Sequence, residues 1–168
     1  MALHASGGDS YVLFTLAGAT YALPSDDIVQ LDMVTTATPV PNAPPFVDGV
    51  VSVRGQVIPV VSLRARFGFP RAPHDVRSRL IVVRGLGRTV GLLVDGAREF
   101  AGIAAADVRP LPEGIAGTSG RYLRGVAQQG ERLLLIVDVA ELIAGATADD
   151  TDPEHATGPH AAPADAST

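Results

Sequence analysis

The sequence contains no cysteine, which excludes disulfides and thiolate-held metals. It contains no tryptophan and only 5% aromatic residues, so any core must be packed mainly from aliphatic side chains. Lysine is absent too, and all 13 basic residues are Arg. No apolar run approaches the ~20 residues that cross a bilayer as a helix. The opening MALHASGGDS has neither the basic start nor the apolar stretch of a signal peptide. The expected location is therefore cytoplasmic. A basic surface is missing as well. Five of the 18 acids (Asp149, Asp150, Asp152, Glu154 and Asp165) lie in residues 146–168, where there is no Arg. The rest of the chain balances 13 acids against 13 Arg, leaving no excess positive charge for nucleic acid or an anionic membrane.

What the chain does have is apolar strand-like runs. It is 46% hydrophobic, and YVLFTL, TYALP, VIPVVSL, LIVVRG, TVGLLVD and RLLLIVDV are separated by Gly, Pro and Asp. Few segments show the 3.6-residue period of a long helix. Residues 1–9 read as a short disordered lead. Residues 146–168, rich in Ala, Thr, Pro and Asp, read as a disordered acidic tail.

An internal repeat organises the part between. Residues 18–26, GATYALPSD, and 87–95, GRTVGLLVD, share the pattern Gly-x-Thr-apolar-small-Leu-x-x-Asp. Pro39-Val40-Pro41 corresponds to Pro110-Leu111-Pro112, and Phe46-Val47-Asp48-Gly49-Val50 to Tyr122-Leu123-Arg124-Gly125-Val126. Gly49 precedes Ser62 by 13 positions, as Gly125 precedes Asp138. The pattern predicts two similar β units, about residues 10–70 and 76–145. Each has a leading hairpin turning at Ala17-Gly18 or Leu86-Gly87 and a Pro-x-Pro segment crossing a sheet edge. A second hairpin follows, turning at Arg54-Gly55-Gln56 or Gln129-Gly130-Glu131. A short helical piece then starts at Ser62 or Asp138 and stops at Gly68 or Gly145, with Glu141 completing a capping box. Strands this short and numerous, with Gly or Pro at each corner, suggest small closed barrels, because closure removes sticky edges.

Catalytic chemistry finds little footing. His4, His74, His155 and His160 all fall outside the repeated landmarks. Ser25, Ser52 and Ser62 have no base nearby, and no G-x-S-x-G elbow is present. Asp26 and Asp95 occupy equivalent repeat positions, which marks turn residues rather than a catalytic pair. GLGRTVG at 85–91 has the wrong spacing for a phosphate loop and runs into a strand, so it reads as a hairpin turn. No carboxylates or histidines converge at metal-ligand spacing. No enzyme, cofactor or metal is expected. What stands out is Arg54, a charge between two apolar runs in GVVSVRGQVIPVVSLRARFG. At the rim of a groove its planar fork suits partner recognition.

The run FVDGVVSVRGQVIPVVSLRARFG resembles the CheW-like family, which comprises the chemotaxis coupling proteins and the regulatory domain of CheA-type histidine kinases. Pro45, Phe46, Gly49, Val50, Arg54, Gly55, Pro59 and Leu63 fit the family pattern. YVLFTLAGATYALPSDDI, TVGLLVDG and RYLRGVAQQGERLLLIVDVAELI are similar to it too, so the resemblance spans about residues 10–145. Ser52 stands in place of the usual Asn, Ser62 in place of Asp, and Gln30 in place of a Glu common on the receptor-facing surface. The resemblance implies an all-β fold of two small five-stranded SH3-like β-barrel subdomains from an internal duplication, with short capping helices. It implies a non-catalytic adaptor between the cytoplasmic tip of chemoreceptors and the CheA-type kinase regulatory domain, recruited to membrane receptor arrays. A chemosensory pathway serving pili, gliding or gene expression is the alternative, and a β-barrel ligand-binding protein or enzyme a remoter one. By resemblance the receptor groove holds Ile28, Gln30, Gly49, Arg54 and Val90. Ile28 and Val90 would form an apolar floor, Gly49 would allow close approach and Arg54 would be the charged anchor. The kinase would join barrel to barrel through aliphatic side chains.

Overall fold

The computed structural model describes residues 8–114 and 117–146. Among these residues eleven strands run in chain order. They are β1 (Asp9–Leu16), β2 (Ala19–Pro24), β3 (Ile28–Met33), β4 (Val47–Val53), β5 (Gln56–Ser62), β6 (Arg79–Gly85), β7 (Arg88–Val94), β8 (Gly96–Ile103), β9 (Val108–Arg109), β10 (Leu123–Gln129) and β11 (Arg132–Val137). Two short α-helices, α1 (Leu63–Arg66) and α2 (Val139–Ile143), follow β5 and β11. The strands form two sheets, in the orders β8-β1-β2-β11-β10-β9 and β3-β6-β7-β5-β4. The architecture is all-β with two subdomains. Each has five main strands, and the sixth strand of the first sheet, β9, is only two residues long. Its counterpart in the second sheet is a single bridge from Thr38 to Val50.

The duplication is borne out residue by residue. Ser62 and Asp138 both cap a helix, accepting from the Ala65 and Glu141 amides at 3.2 Å each. Their own amides donate to Phe46 O and Tyr122 O at 2.8 Å each. A Cβ on Gly49 would lie 2.1 Å from Thr38 O, and one on Gly125 2.5 Å from Arg109 O. Both glycines are therefore required by the chain segment that precedes the Pro-x-Pro. The edge strands β3 and β8 carry a bulge at the same repeat position, between Ile28 and Gln30 and between Ala97 and Glu99.

The division of the subdomains at about residue 70 needs correction. The leading hairpins are exchanged. β1–β2, from the first repeat, sits between β8 and β11 of the second, and β6–β7 sits between β3 and β5 of the first. Two parallel pairings make the joins, β2 with β11 and β7 with β5. The physical reason lies in the strands themselves. DSYVLFTL and RLIVVRG are apolar on both faces, so each must be covered from two sides. Alternate residues supply two different cores. Tyr11, Leu13 and Ala22 face the interior of their own sheet with Leu134 and Ile136. Val12, Phe14, Leu16, Tyr21 and Leu23 face the opposite sheet, meeting Ile81, Val83, Val90 and Leu92. The second sheet encloses its own smaller core of Val51, Ile58, Val60, Leu80 and Val82.

Smaller expectations also shift. The fold includes Gly8 and Asp9, because Asp9 pairs with Ile103. It runs through Ala146, which is buried in the central core; the rest of the assigned tail lies outside the described residues. Glu141 does not close a capping box. Its carboxylate meets Arg121 at 3.2 Å, while the Asp138 amide is already bound to Tyr122 O. The hairpin tips are two residues long. Val53 pairs with Gln56 around Arg54-Gly55, and Gln129 pairs with Arg132 around Gly130-Glu131.

Candidate partner-binding surface

The residues singled out in sequence divide into a surface group and an interior group. β5 runs parallel to β7, so the Arg54-Gly55 and Leu86-Gly87 turns lie at one end of the second sheet. β3 is antiparallel to β6, with Ile28 opposite Val83, which puts Ile28 and Gln30 at that same end. Ile28, Gln30 and Arg54 therefore share one end of one sheet, with β3 at one edge and the β4–β5 hairpin at the other.

Arg54 occupies the first position of its two-residue turn with φ +52°, and Gly55 follows at φ +78°. Two successive left-handed residues are the signature of the tight hairpin turn whose twist matches the strands. The turn holds Arg54 out in solvent, and no hydrogen bond or ion pair engages its guanidinium among the described residues. Val53 packs against the interior of the second sheet, whereas Val57 is 67% exposed.

β3 is an edge strand whose side chains alternate. Leu31 pairs across with Ile81 and so projects on the side that elsewhere builds the central core, yet it is 40% exposed. Val57 lies on that side too, two and four residues from Pro59 and Val61. Leu86 is uncovered in the adjacent turn at 53%. All three are left exposed, Val57 and Leu86 at the turn end of the sheet and Leu31 farther along the β3 edge. Sequence reasoning missed them because an apolar residue near a strand end reads the same whether a sheet or a partner covers it. The turn positions beside Gly55 and Gly87 were the available signal.

Gln30 faces the other way. It pairs with Val82, whose side chain lies in the interior of the second sheet. Its amide Nε2 donates to Asp32 Oδ2, and its carbonyl oxygen is buried without a donor. A polar pair pointing inward at an edge strand discourages unwanted strand addition.

Two of the expected contact residues do not lie on the surface. Val90 is fully enclosed in the central core and offers no surface to a partner. Gly49 does allow a close approach, but the atom that approaches is the chain's own Thr38 O.

Elsewhere, a cleft of roughly 690 Å³ opens beside the first sheet under residues 72–78. Its charges are paired internally: Arg64 with Asp95 at 2.7 Å, Arg77 with Asp75 at 3.2 Å and Arg132 with Glu99 at 3.0 Å. That leaves no uncompensated charge among them to orient a ligand. Among the described residues no three His, Asp or Glu side chains converge as metal ligands, and no helix is long and apolar enough to cross a membrane.

The uncovered Arg54 hairpin and the β3 edge belong to a stretch that matches a family model. The model for the CheW-like domain matches residues 10–147, nearly the whole described chain. The chain belongs to the CheW-like domain family. Its similarity to a chemotaxis protein CheW of Klebsiella aerogenes is 30% identity over 136 residues, covering 81% of this chain and 82% of that protein. To the chemotaxis protein CheW of Rhizobium meliloti it is 31% over 134 residues, covering 80% and 86%. The crystal structure of the scaffolding protein TtCheW from Thermoanaerobacter tengcongensis superposes with a TM-score of 0.75 at 29% identity, covering 81% of this chain and 92% of that one. The CheW-like sheets thus carry the exchanged hairpins, the Arg54 turn and the β3 edge as one unit.

Proposed function

We propose that the chain is a non-catalytic chemotaxis adaptor that couples chemoreceptors to a CheA-type histidine kinase. The observation that carries this reading is the CheW-like match across residues 10–147, together with an exposed end of the second sheet where Arg54 is held out by its turn. The receptor's cytoplasmic tip docks at that end. Val57 and Leu86 supply apolar contact there, and Ile28, Gln30 and Leu31 lie along its β3 edge. Val90 and Gly49 fix the shape of the surface from inside. The kinase's regulatory domain joins subdomain to subdomain through aliphatic side chains. The adaptor works in the cytoplasm and is recruited to receptor arrays.

The test is binding of the purified chain to a chemoreceptor cytoplasmic fragment and to a CheA-type regulatory domain, each by calorimetry. Arg54→Ala keeps the same backbone demand, because Ala and Arg tolerate φ +52° about equally. Its stability should change by no more than about 0.5 kcal/mol, while receptor affinity falls about tenfold or more. Unchanged receptor binding by this variant would place the docking surface elsewhere.

A further inference from the structure

The duplication provides an internal control for the charges at each sheet end. In the first sheet, Glu99 on the edge strand β8 reaches across to Arg132 on β11 at 3.0 Å. Flat spacing would put these strands about 14 Å apart, so the sheet curls and its end is closed by a balanced ion pair. The equivalent positions in the second sheet are Gln30 and Gln56, both neutral. Thr15, which pairs with Thr20 at the end of the first sheet, is replaced by Arg84, which pairs with Thr89.

Arg84 is exposed and follows Leu80 and Val82 on the interior-facing side of β6. Gln30, opposite Val82, faces the same side from the neighbouring strand. Arg84 therefore lies in the row between the β3 edge and the Arg54 turn. Most arginines here are held within the chain: Arg64, Arg71, Arg77, Arg121 and Arg132 by carboxylates, Arg66 and Arg79 by backbone carbonyls. Arg54, Arg84, Arg109 and Arg124 have no such partner among the described residues, and of these Arg54 and Arg84 lie at this end of the second sheet. The one carboxylate on β3, Asp32, is engaged by the Gln30 amide.

We infer that Arg84 is a second cationic recognition residue beside Arg54, and that the two together select a carboxylate-bearing segment of the receptor tip. The inference rests on the receptor reading of this surface and adds the chemistry of the partner. One end of the duplicated fold holds an ion pair, Glu99 with Arg132, and the other carries two forks without a partner among the described residues, which suit paired carboxylates. Charges at such a rim act mainly on the association rate and its salt dependence.

The experiment uses the full chain and a chemoreceptor cytoplasmic fragment from the same organism, followed by surface plasmon resonance at low and high salt. Arg84→Gln and Arg84→Glu are compared with Arg54→Ala, and melting temperatures are recorded for each. Arg84→Gln should slow association several-fold and flatten the salt dependence, Arg84→Glu should weaken binding about tenfold or more, and both should melt like the parent. If Arg84→Glu binds like the parent while Arg54→Ala is weakened, the role of Arg84 is wrong and the receptor reading stands. If both bind like the parent, the receptor surface itself is wrong. Loss of binding to the kinase regulatory domain alone would also overturn the inference. Should Arg84→Glu melt early, Arg84→Gln decides.

Discussion

Arg66 should be among the most costly surface-proximal residues to truncate. It sits at the end of α1, and its guanidinium reaches the end of α2. Nε donates to Leu142 O at 3.1 Å, and Nη2 to Glu141 O at 3.1 Å and Ala144 O at 2.5 Å. The plane stacks 3.8 Å from the centre of the Phe46 ring, with Tyr122 at 4.9 Å. Among the described residues no carboxylate is bonded to it, and burial pulls its pKa below the ordinary guanidinium value. The cation thus satisfies carbonyls that a helix end leaves open, at the negative end of the helix dipole. Charge-assisted hydrogen bonds contribute about 1.5 kcal/mol or more each, and stacking on an aromatic about 1 kcal/mol. Water can reach part of the gap, so the net loss for Arg66→Ala should be about 3 kcal/mol. For a domain of this size that lowers the melting point by roughly 10 °C. Arg66→Lys keeps the charge but not the fork, and should recover less than half of the loss. Urea unfolding followed by circular dichroism measures both. A loss below about 1 kcal/mol for Arg66→Ala would show that the latch between the helices is ornamental.

Gly49→Ala should abolish soluble expression or melt the protein far below the parent, because its Cβ would meet Thr38 O at 2.1 Å; Gly125→Ala should do the same, and a solubility assay with a thermal scan reads both. Asp95 is held below the ordinary carboxylate range, first by its hydrogen bonds from Arg64 and also by the Ala17 amide, against opposing burial. Its contribution is therefore complete above the ordinary carboxylate pKa of about 4 and is lost as pH falls through the depressed value. The stability gap between parent and Asp95→Asn should shrink as pH drops below about 4, and pH-dependent denaturation checks it. Gln30→Glu places a carboxylate against Asp32. It should cost on the order of 1 kcal/mol at neutral pH and recover on acidification, which denaturation at neutral and acid pH checks.

The parts of the fold that were legible in sequence are those set by local chemistry. Gly at the hairpin tips, Pro-x-Pro at the edges and the Ser62 and Asp138 caps each follow from what one residue can do with its own backbone. The exchange of hairpins was not legible. TYALP and TVGLLVD are interchangeable as apolar strands, and only three-dimensional pairing with RLLLIV or VIPVVS distinguishes them. The proposed surface was half legible. Arg54 showed itself because a charge interrupts two apolar runs, whereas Val90 has the same residue type as any core position and proved to be one. Arg84, the second cation proposed above, did not stand out because LIVVRG ends like an ordinary strand before a turn.

The exchanged hairpins have a consequence for the history and folding of such a chain. A polypeptide carrying one copy of the repeat has no hairpin of its own to fill the gap between its edge strand and its second hairpin. It can complete that sheet only by borrowing from another molecule, which returns the favour through the same two-fold relation. A half-length version would be an obligate homodimer whose stability rises with concentration. Joining two copies through residues 69–78 makes the partner's local concentration fixed and high, and afterwards lets the two ends of the molecule diverge in charge. Separately expressed halves of this chain, 8–68 and 79–146, should accordingly be unfolded alone and regain structure only on mixing.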